Sequence, residues 1–557
     1  MSKDKKAVTL KPATKLWFSK WPTVEISELT KDKLEACVGG TGKSVTSGWP
    51  VIVVGGPIAI LDAVGINTSL LEYVSDIWES DNVAELEAFE KKANKGDVRV
   101  LRFYDDRKLV IAKTQTKMSL LAKRALLAKA TREVLTDNCD GVVVVLEDPS
   151  FIEALDASLS LLYRYDCFRQ VAEDAHHPRI LHVLVDGEEE ALKGRAARIN
   201  AIMHATFFAR DLINRPPSEK TPKDLANIVQ SALYFQEPPL AAEIDTLLLD
   251  EAYFPPADKP YQKPDRHAFS RMGLIHAVAR GSSNGPVVVQ TTYRHPDAVN
   301  ERPIVLVGKG VCFDSGGMNL KDSANMAGMK GDMAGAAAVF GIMRAVMALQ
   351  LPVYLVAIAP LVYNMPSGDA LKPDDVVVSF SGKSVEIGNT DAEGRLILAD
   401  AISYAIEVHD PELLVDYATL TGACIVALGT DIAGVFTKSM RGKDGKITRM
   451  LLEAGDETGE PHWPLPLYAG YAEGLTSPIA DTNNISKSRW GGAITAALFL
   501  KEFAGDVPWK HIDIAGPALL GGGKGFWPEG ATGFGVRSGI AFLEKYIGSK
   551  KGAVKSG

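Results

Sequence analysis

Residues 308–335 of this 557-residue chain read GKGVCFDSGGMNLKDSANMAGMKGDMAG, and residues 389–400 read NTDAEGRLILAD. The first stretch directly follows the apolar run PIVLVG at Pro303, so it begins where a β-strand is predicted to end. The second stretch follows another apolar run, VEIGN at Val385. In open α/β sheets, binding sites lie beyond the carboxyl ends of the strands. We therefore expect both stretches to lie at one edge of a sheet and to form one site.

The charged side chains of these two stretches predict a pair of metal ions. Four carboxylates buried together would repel one another unless cations with a total charge near +4 offset them, and two divalent ions do so. Carboxylates with one amine suit Zn, Mn, Mg or Co. A lysine can join such a shell only where nearby positive charge depresses its pKa. The residues concerned are Lys309, Asp314, Lys321, Asp332, Asp391, Glu393 and Arg395.

The two stretches resemble those of the leucyl aminopeptidases, also called cytosol aminopeptidases. These are dinuclear metallopeptidases with the signature NTDAEGR followed by an apolar helix. The resemblance covers roughly the last three-fifths of the chain, and the first 185 or so residues match poorly. Four further blocks agree with the family: ARDLINRPPSEKTP at Ala209–Pro222, NMPSGDALKPDDVV at Asn364–Val377, DYATLTGACIVALG at Asp416–Gly429 and SRWGGAITAALFLKEF at Ser488–Phe503.

The resemblance implies how the metal shell is divided. Asp314 and Glu393 would bridge the two ions, which are Zn or Mn, with Co or Mg as alternatives. Asp391 would complete the more exchangeable site. Lys309 and Asp332 would complete the tighter one.

The resemblance also implies a reaction. Lys321 would stabilise the oxyanion, and Arg395 would hold a bicarbonate ion that acts as general base. The free amine of a peptide substrate would bind one metal, so the enzyme would release N-terminal residues, preferably leucine or a similar apolar residue. The positions that resemble the family's substrate contacts are Met329, Thr419, Leu420 and Gly422.

The length of the chain and its 46% hydrophobic content predict two domains of α/β class. Apolar β-branched runs alternate with helical patterns in the first part, which predicts a mainly parallel sheet in an N-terminal α/β domain, macro-domain-like, at residues 1–186. A helix at 187–213 would connect it to a catalytic α/β domain at 214–557 with a mixed, mainly parallel sheet. The lysine-rich segment Gly548–Gly557 is expected to be a solvated tail.

Composition argues against several classes of protein. A net charge of -8 and a pI near 5.8 disfavour a nucleic-acid-binding surface. No run approaches 18 uninterrupted apolar residues, and the opening segment lacks an apolar core of signal-peptide length. Five scattered cysteines without a CxxC pair fit a reducing compartment. We expect a cytoplasmic protein without membrane contacts, and the family resemblance implies a homo-hexamer built as a dimer of trimers.

Three local patterns permit other interpretations. The sequence FDSGG around Ser315 resembles the GDSGG of trypsin-like serine peptidases, but the predicted α/β architecture argues against that class. The sequence GGTGKS at Gly39–Ser44 ends like a phosphate-binding loop, although Cys37 stands where the first glycine is needed. Cys312 lies between two predicted ligands. It is interpreted first as a small buried side chain and second as an oxidation-sensitive thiol.

A non-catalytic scaffold or DNA-binding protein is the alternative from a different functional class, since some members of this family have such second roles. Pseudoenzymes usually lose a ligand or the catalytic lysine, and here every predicted position is occupied by the expected residue. The acidic net charge further disfavours DNA binding.

Overall fold

The computed structural model describes residues 21–29, 33, 49–54, 98–102, 108–114, 117–137, 139–168, 177–234, 243–249 and 272–555. Within these ranges the chain forms two large sheets with helices, which confirms the predicted α/β class and the mainly parallel pairing. The GGTGKS sequence lies outside the described residues. The domain limits at residues 186 and 214 stay a prediction.

The N-terminal sheet has six strands in the order β1-β6-β5-β2-β4-β3. Neighbouring strands are parallel except for the antiparallel pair β3 and β4. The central strands are buried along their whole length, as expected for a sheet covered on both faces. The elements are β1 (Thr23–Glu28), β2 (Val51–Val54), β3 (Val98–Arg102), β4 (Lys108–Ala112), helix α1 (Leu120–Arg132), β5 (Gly141–Leu146), helix α2 (Leu155–Leu162) and β6 (Ile180–Val185).

A long helix, α3 (Glu189–Asn214), follows the first sheet and agrees with the predicted connecting helix. Its exposed first turns carry Glu189 and Glu190, where the helix dipole favours negative charge. Its last turns are buried, and they combine the apolar Phe207 and Phe208 with the buried polar side chains of Arg210 and Asp211. The helix therefore changes from a solvated to a core element along its length. It ends where Pro216 and Pro217 follow.

The second sheet has nine strands in the order β16-β15-β18-β14-β9-β11-β8-β7, and β10 pairs with β11. Its centre, β18-β14-β9-β11-β10, is parallel, and β8 with β7 adds an antiparallel edge. The strands are β7 (Glu243–Leu249), β8 (Val287–Arg294), β9 (Ile304–Gly308), β10 (Gly310–Asp314), β11 (Tyr354–Asn364), β14 (Leu413–Ala418), β15 (Ala433–Thr437), β16 (His462–Pro466) and β18 (Trp509–Asp513).

Helices cover both faces of the second sheet, because alternate residues of each strand point to opposite sides. On β9, Ile304 and Leu306 join the core beneath α7 and α12, whereas Val305 and Val307 join the core beneath α5, α8 and α11. The helices are α4 (Pro222–Tyr234), α5 (Gly273–Ala279), α6 (Ser323–Met326), α7 (Ala334–Ala348), α8 (Glu393–His409), α9 (Gly422–Leu428), α10 (Gly442–Thr458), α11 (Gly492–Ala504) and α12 (Val536–Lys555).

Two sequence-based expectations are wrong. The run at Val385 forms β13 (Ser384–Glu386) in a separate small sheet with β12 (Val376–Val378) and β17 (Thr482–Asn483). This strand has only three residues and is half-buried, so it is too short and too exposed for the covered main sheet. The segment from Gly548 also differs, because α12 continues to Lys555. A remaining two-stranded sheet pairs β19 (Leu519–Leu520) with β20 (Gly530–Ala531).

One helical stretch among the described residues, Ser323–Ala348, is long and apolar enough by composition to cross a membrane. Within the fold, 89% of its apolar window is buried. That is the environment of a core helix, and most of the stretch is α7, which packs against the second sheet and α3.

Candidate active site

The first of the two stretches forms a loop that begins at two strand ends. Lys309 follows β9, and Asp314 is the last residue of β10. The chain then turns through Gly316 and Gly317 with φ of 87° and 65°, values that favour glycine. A Cβ atom on Gly316 would lie 2.9 Å from Asp391 Oδ1. The glycines therefore let this loop approach the second stretch closely.

Three carboxylates from the two stretches converge in the interior. Asp314, Asp332 and Glu393 are buried, and each has an oxygen within 4.8 Å of the others. The ammonium of Lys309 lies between two of them, 2.7 Å from Asp332 Oδ1 and 2.9 Å from Glu393 Oε1. It also donates to the carbonyl of Thr419 at 2.9 Å. This places four of the predicted residues around one point.

The remaining predicted pair lies on the outer side of this cluster. Lys321 contacts Asp314 Oδ2 at 2.8 Å and also pairs with Asp391 Oδ1. The side chain of Asp391 is 33% exposed, whereas that of Asp314 is 3% exposed. Asp314 thus stands between the buried Lys309 side and the solvent-facing Lys321 side of the cluster.

Burial and mutual repulsion shift the pKa values of the acids. Burial is the main cause that raises the pKa of Asp332 to about 6 and that of Glu393 to about 8, and the negative charge of Asp314 adds to both shifts. Burial alone would lower the pKa of the two lysines. The neighbouring carboxylates outweigh it and raise the pKa of both Lys309 and Lys321. Asp332 and Glu393 are therefore held in places that disfavour their negative charges unless cations are present.

The cluster fits divalent cations. Its four carboxylates face two ammonium groups, which leaves two negative charges without a counter-ion. In addition, Asp332 Oδ2 and Glu393 Oε2 are buried and have no hydrogen-bond partner among the described residues. Unpaired carboxylate oxygens in a dry interior are costly, and a bound cation removes that cost. Oxygen donors with one amine form a shell that Zn or Mn accepts.

Helix α8 packs directly against the side chain of Lys309. The helix begins at Glu393, and a Cβ atom on the next residue, Gly394, would lie 2.4 Å from Lys309 Cε. Only a residue without a side chain allows this approach. Glycine at this position therefore keeps the lysine amine against both Asp332 and Glu393.

Comparison with known proteins places the chain in a family. Residues 207–540 match the model of the cytosol aminopeptidase family, catalytic domain. A probable cytosol aminopeptidase of Nitratidesulfovibrio vulgaris is 42% identical over 393 residues, which is 69% of this chain and 72% of the relative. Another, from Chlamydia caviae, is 41% identical over 432 residues, covering 75% and 81%.

The chain belongs to the cytosol aminopeptidase family. Solved structures agree. The bottromycin maturation enzyme BotP in complex with Mn has a TM-score of 0.71 and 31% identity over 89% of this chain and 99% of BotP. The cytosol aminopeptidase of Coxiella burnetii has a TM-score of 0.69 and 26% identity over 91% of this chain and 98% of its own. As a member of this family, the chain is a metal-dependent hydrolase of the aminopeptidase class.

Among the predicted substrate residues, Thr419 contacts the acidic cluster. The Thr419 hydroxyl donates to Asp332 Oδ1 at 2.8 Å. The Leu420 amide donates to Asp513 Oδ1 at 3.1 Å, and exposed Gly422 begins α9. Met329 lies half-buried in the turn that precedes Asp332. Thr419, Leu420 and Gly422 thus follow β14, whereas Met329 precedes α7.

Arg395, two residues after Glu393 on α8, donates from Nη1 to the carbonyl of Asn484 at 2.8 Å. Its Nε has no partner among the described residues. Burial lowers the pKa of this guanidinium to about 10, against the opposing effect of Glu393 and Asp513. The arginine thus has a buried N–H group that can donate a hydrogen bond to an anion.

Sequence reasoning missed several residues that support the site. Asn364 donates from Nδ2 to Asp314 Oδ1 at 2.8 Å, and its register opposite Asp314 follows from the parallel pair β10 and β11. Asp513, at the end of β18, accepts from the Leu420 amide and the Thr421 hydroxyl. The signal available was that each residue closes an apolar strand of the parallel sheet, as Asp314 does.

Two alternatives from the sequence can be examined directly. The Ser315 hydroxyl is buried and donates to the carbonyl of Asn364 at 2.7 Å, so it is not activated by a histidine as a serine nucleophile is. Cys312 is fully buried, and burial raises the pKa of its thiol to about 12. A thiol of this kind is a poor nucleophile, which favours the first interpretation, a buried packing residue.

Proposed function

We propose that this chain hydrolyses the N-terminal residue from peptides, preferably leucine or a similar apolar residue, with two divalent metal ions held by its acidic cluster. The main support is the set of buried oxygens on Asp332 and Glu393 that lack partners beside an excess of negative charge. Family membership supports the reaction class.

The ions would be held as the family resemblance implies. Asp314 and Glu393 would hold both ions, Asp391 would complete the outer site, and Lys309 with Asp332 would complete the inner site. The location of the residues supports this division, because Lys309 and Asp332 are buried and Asp391 is partly exposed. Bound ions of this kind supply an activated water and polarise the scissile carbonyl.

Lys321 would stabilise the negative charge that develops on the carbonyl oxygen of the scissile bond. Its ammonium already lies beside Asp314 and Asp391 at the partly exposed side of the cluster. Cations bound by these acids would compete with Lys321 for the same oxygens. The ammonium would then be free to point towards the substrate.

Arg395 would hold a bicarbonate ion, which supplies a general base when bound. Its partnerless Nε is the observation that supports an anion there. The two stretches contain no histidine and no spare glutamate for proton transfer.

The N-terminal end of the substrate would lie among Met329, Thr419, Leu420 and Gly422. An apolar pocket discriminates between side chains by about 1–3 kcal/mol for each methylene group, so the preference for leucine would be one of degree. A free amine is present only at the first residue of a peptide, which would restrict cleavage to that end.

We also propose a homo-hexamer, a dimer of trimers, in the cytoplasm, without membrane or nucleic-acid partners. Exposed apolar residues in and after α9 support an interface between subunits. Val426 on α9 is 90% exposed, and Trp490 is 70% exposed. Tyr468 and Tyr471, whose rings lie 5.0 Å apart, are also exposed. Exposed apolar groups of this size are typical of contact surfaces.

Activity towards leucyl amide substrates tests the proposal. Purified protein is treated with a chelator, and Zn, Mn or Co is then added stepwise while hydrolysis is measured. We expect activity to vanish with metal removal and to return with one or more of these ions. Activity that resists the chelator, or none with any ion, would contradict the proposal. In the second case, salt-sensitive duplex binding would support the scaffold alternative.

A further inference from the structure

Lys220 is a lysine without any exposed surface, and it lies outside the acidic cluster. It follows α3 by a short proline-rich turn. Its ammonium donates to the carbonyls of Leu212 and Ile213 at 3.1 and 2.8 Å, and to the carbonyl of Lys330 at 2.6 Å. Burial lowers the pKa of this amine to about 7, which shows that the location is costly for a charge. A buried lysine that spans two elements therefore needs an explanation.

Part of the explanation is local. The last four carbonyls of a helix lack partners within it. In α3, the carbonyl of Asp211 accepts from the Arg215 amide, and the ammonium of Lys220 donates to the carbonyls of the next two residues. The fourth, that of Asn214, accepts from the ammonium of Lys330 at 3.1 Å. The end of α3 is thus closed by two lysines.

Both lysine contacts reach the turn that carries a predicted metal ligand. Lys330 lies in the turn Met329–Gly331, directly before Asp332. Lys220 holds the carbonyl of Lys330, and Asn214 holds its ammonium, so the turn is fixed to the helix end at two points. The side chain of Asp332 is fixed separately by Lys309 and Thr419.

We propose that Lys220 is a positioning residue for the metal centre, which holds the backbone of the Asp332 turn against the end of α3. The inference rests on the proposed two-metal site. Groups that orient a ligand from outside the metal shell typically change metal affinity by about 10- to 100-fold when removed. Lys220 acts through the backbone, so we expect a loss near the lower limit, about tenfold.

The variant Lys220→Met tests this, since it keeps the length and apolar stem but removes the donors. Metal-free wild type and variant are titrated with Mn²⁺ by calorimetry. We expect the tighter of the two sites to weaken by about tenfold and the other to stay unchanged. The control is Lys510→Met. Lys510 is equally buried and donates to Thr437 Oγ1 and Asp444 Oδ1, away from the turn.

The outcomes are distinct. If Lys220→Met binds Mn²⁺ like wild type, or if Lys510→Met weakens it equally, the inference is overturned. If wild type binds no Mn²⁺, Zn²⁺ or Co²⁺, the proposed function itself fails. Should Lys220→Met not fold, as judged by circular dichroism, Lys330→Met removes the second contact to the same turn. It should weaken the tighter site in the same direction, and unchanged affinity in that variant also overturns the inference.

Discussion

Two buried clusters of charged side chains in this protein differ in one respect. The first, at the contact between α1, α2 and the C-terminal part of the chain, consists of Arg124, Asp156, Glu460 and Arg537. Arg124 Nε lies 2.9 and 3.0 Å from the two oxygens of Asp156, and Arg537 Nη1 lies 2.6 Å from one of them. This arginine–carboxylate cluster joins parts of the chain that are far apart in sequence.

Glu460 balances the remaining positive charge of the arginine–carboxylate cluster. One of its oxygens accepts from Arg537 Nε at 3.3 Å. The other accepts from the amides of Gly535 and Ser538 and from the Ser538 hydroxyl. Two acids thus face two arginines, and each carboxylate oxygen has a partner, while Arg537 Nη2 has none among the described residues.

The acidic cluster of the candidate site is instead left incomplete. It has more carboxylates than ammonium groups, and oxygens of Asp332 and Glu393 lack partners. Both clusters are buried and rich in charge. The difference teaches that charge and burial alone do not indicate a binding site, whereas unpaired oxygens beside excess charge do.

The largest effect on stability is expected from Arg537→Met. This change leaves Asp156 and Glu460 buried with fewer partners, and breaking a buried pair in this way costs about 3–5 kcal/mol. Urea unfolding should show a lower free energy of unfolding, while Mn²⁺ affinity should be unchanged. A loss of Mn²⁺ affinity in the folded variant would show that the two clusters are not independent.

Lys321→Ala should lower catalytic turnover at the acidic cluster without removing its metal ions. Removing one group that stabilises an oxyanion typically lowers kcat by about 100- to 1000-fold. Turnover of a leucyl amide should fall by this amount while metal content, measured by elemental analysis, stays near normal. Lys372→Ala is the control, because that lysine is exposed and pairs only with Asp375 at the surface. Intact turnover in Lys321→Ala would refute its role.

Asp332→Asn and Asp156→Asn should shift stability in opposite directions. Asparagine at position 332 removes one of the excess negative charges, but it also weakens the bond to Lys309. As the net result, the free energy of unfolding of the metal-free protein should rise by on the order of 1 kcal/mol. Asparagine at position 156 removes the negative charge that pairs with Arg124 and Arg537, so this variant should have a lower free energy of unfolding. Thermal unfolding of both metal-free variants measures the signs, and equal signs would contradict the comparison.

The smallest effect concerns a third buried pair, His511 and Asp416, with 2.6 Å between Nδ1 and Oδ1. Burial opposes protonation, but the charge of Asp416 outweighs it and raises the pKa of His511. The folded protein therefore holds this proton more tightly than the unfolded chain. The contribution of His511 to the free energy of unfolding is present below pH ~6.5, and it is lost as the pH rises through the pKa of this histidine in the folded protein.

His511→Gln checks that pH dependence, because the amide can still donate to Asp416. The stability difference between wild type and variant should be largest below pH ~6.5 and should shrink at higher pH. Unfolding by urea across a series of pH values measures it. A difference that grows with pH would show that the histidine is neutral in the folded state.

Sequence predicts the parts of this molecule that depend on local patterns. The apolar run at Pro303 predicted β9 with Lys309 at its end, and the apolar helix expected after NTDAEGR forms as α8, although it begins within that motif, at Glu393. The arginine–carboxylate cluster could not be predicted in this way, since Asp156 and Arg537 are 381 residues apart. No periodicity or spacing marks such a pair.

The separate small sheet was missed for a different reason. The sequence VEIGN has the composition of a core strand, but only β13, three residues long, forms from it. Strand propensity indicates a strand and does not specify which sheet it joins. The position of Asp391 next to the first stretch depends instead on the close approach at Gly316.

The contact between Gly394 and the stem of Lys309 limits how this catalytic centre can be altered by mutation. A single methyl group there would overlap the lysine chain, so even alanine, a change tolerated on most helices, would push the amine away from its two acids. Variants of the candidate site should therefore leave residue 394 fixed. In natural drift, the same contact makes this glycine a position where the smallest possible substitution is already disruptive.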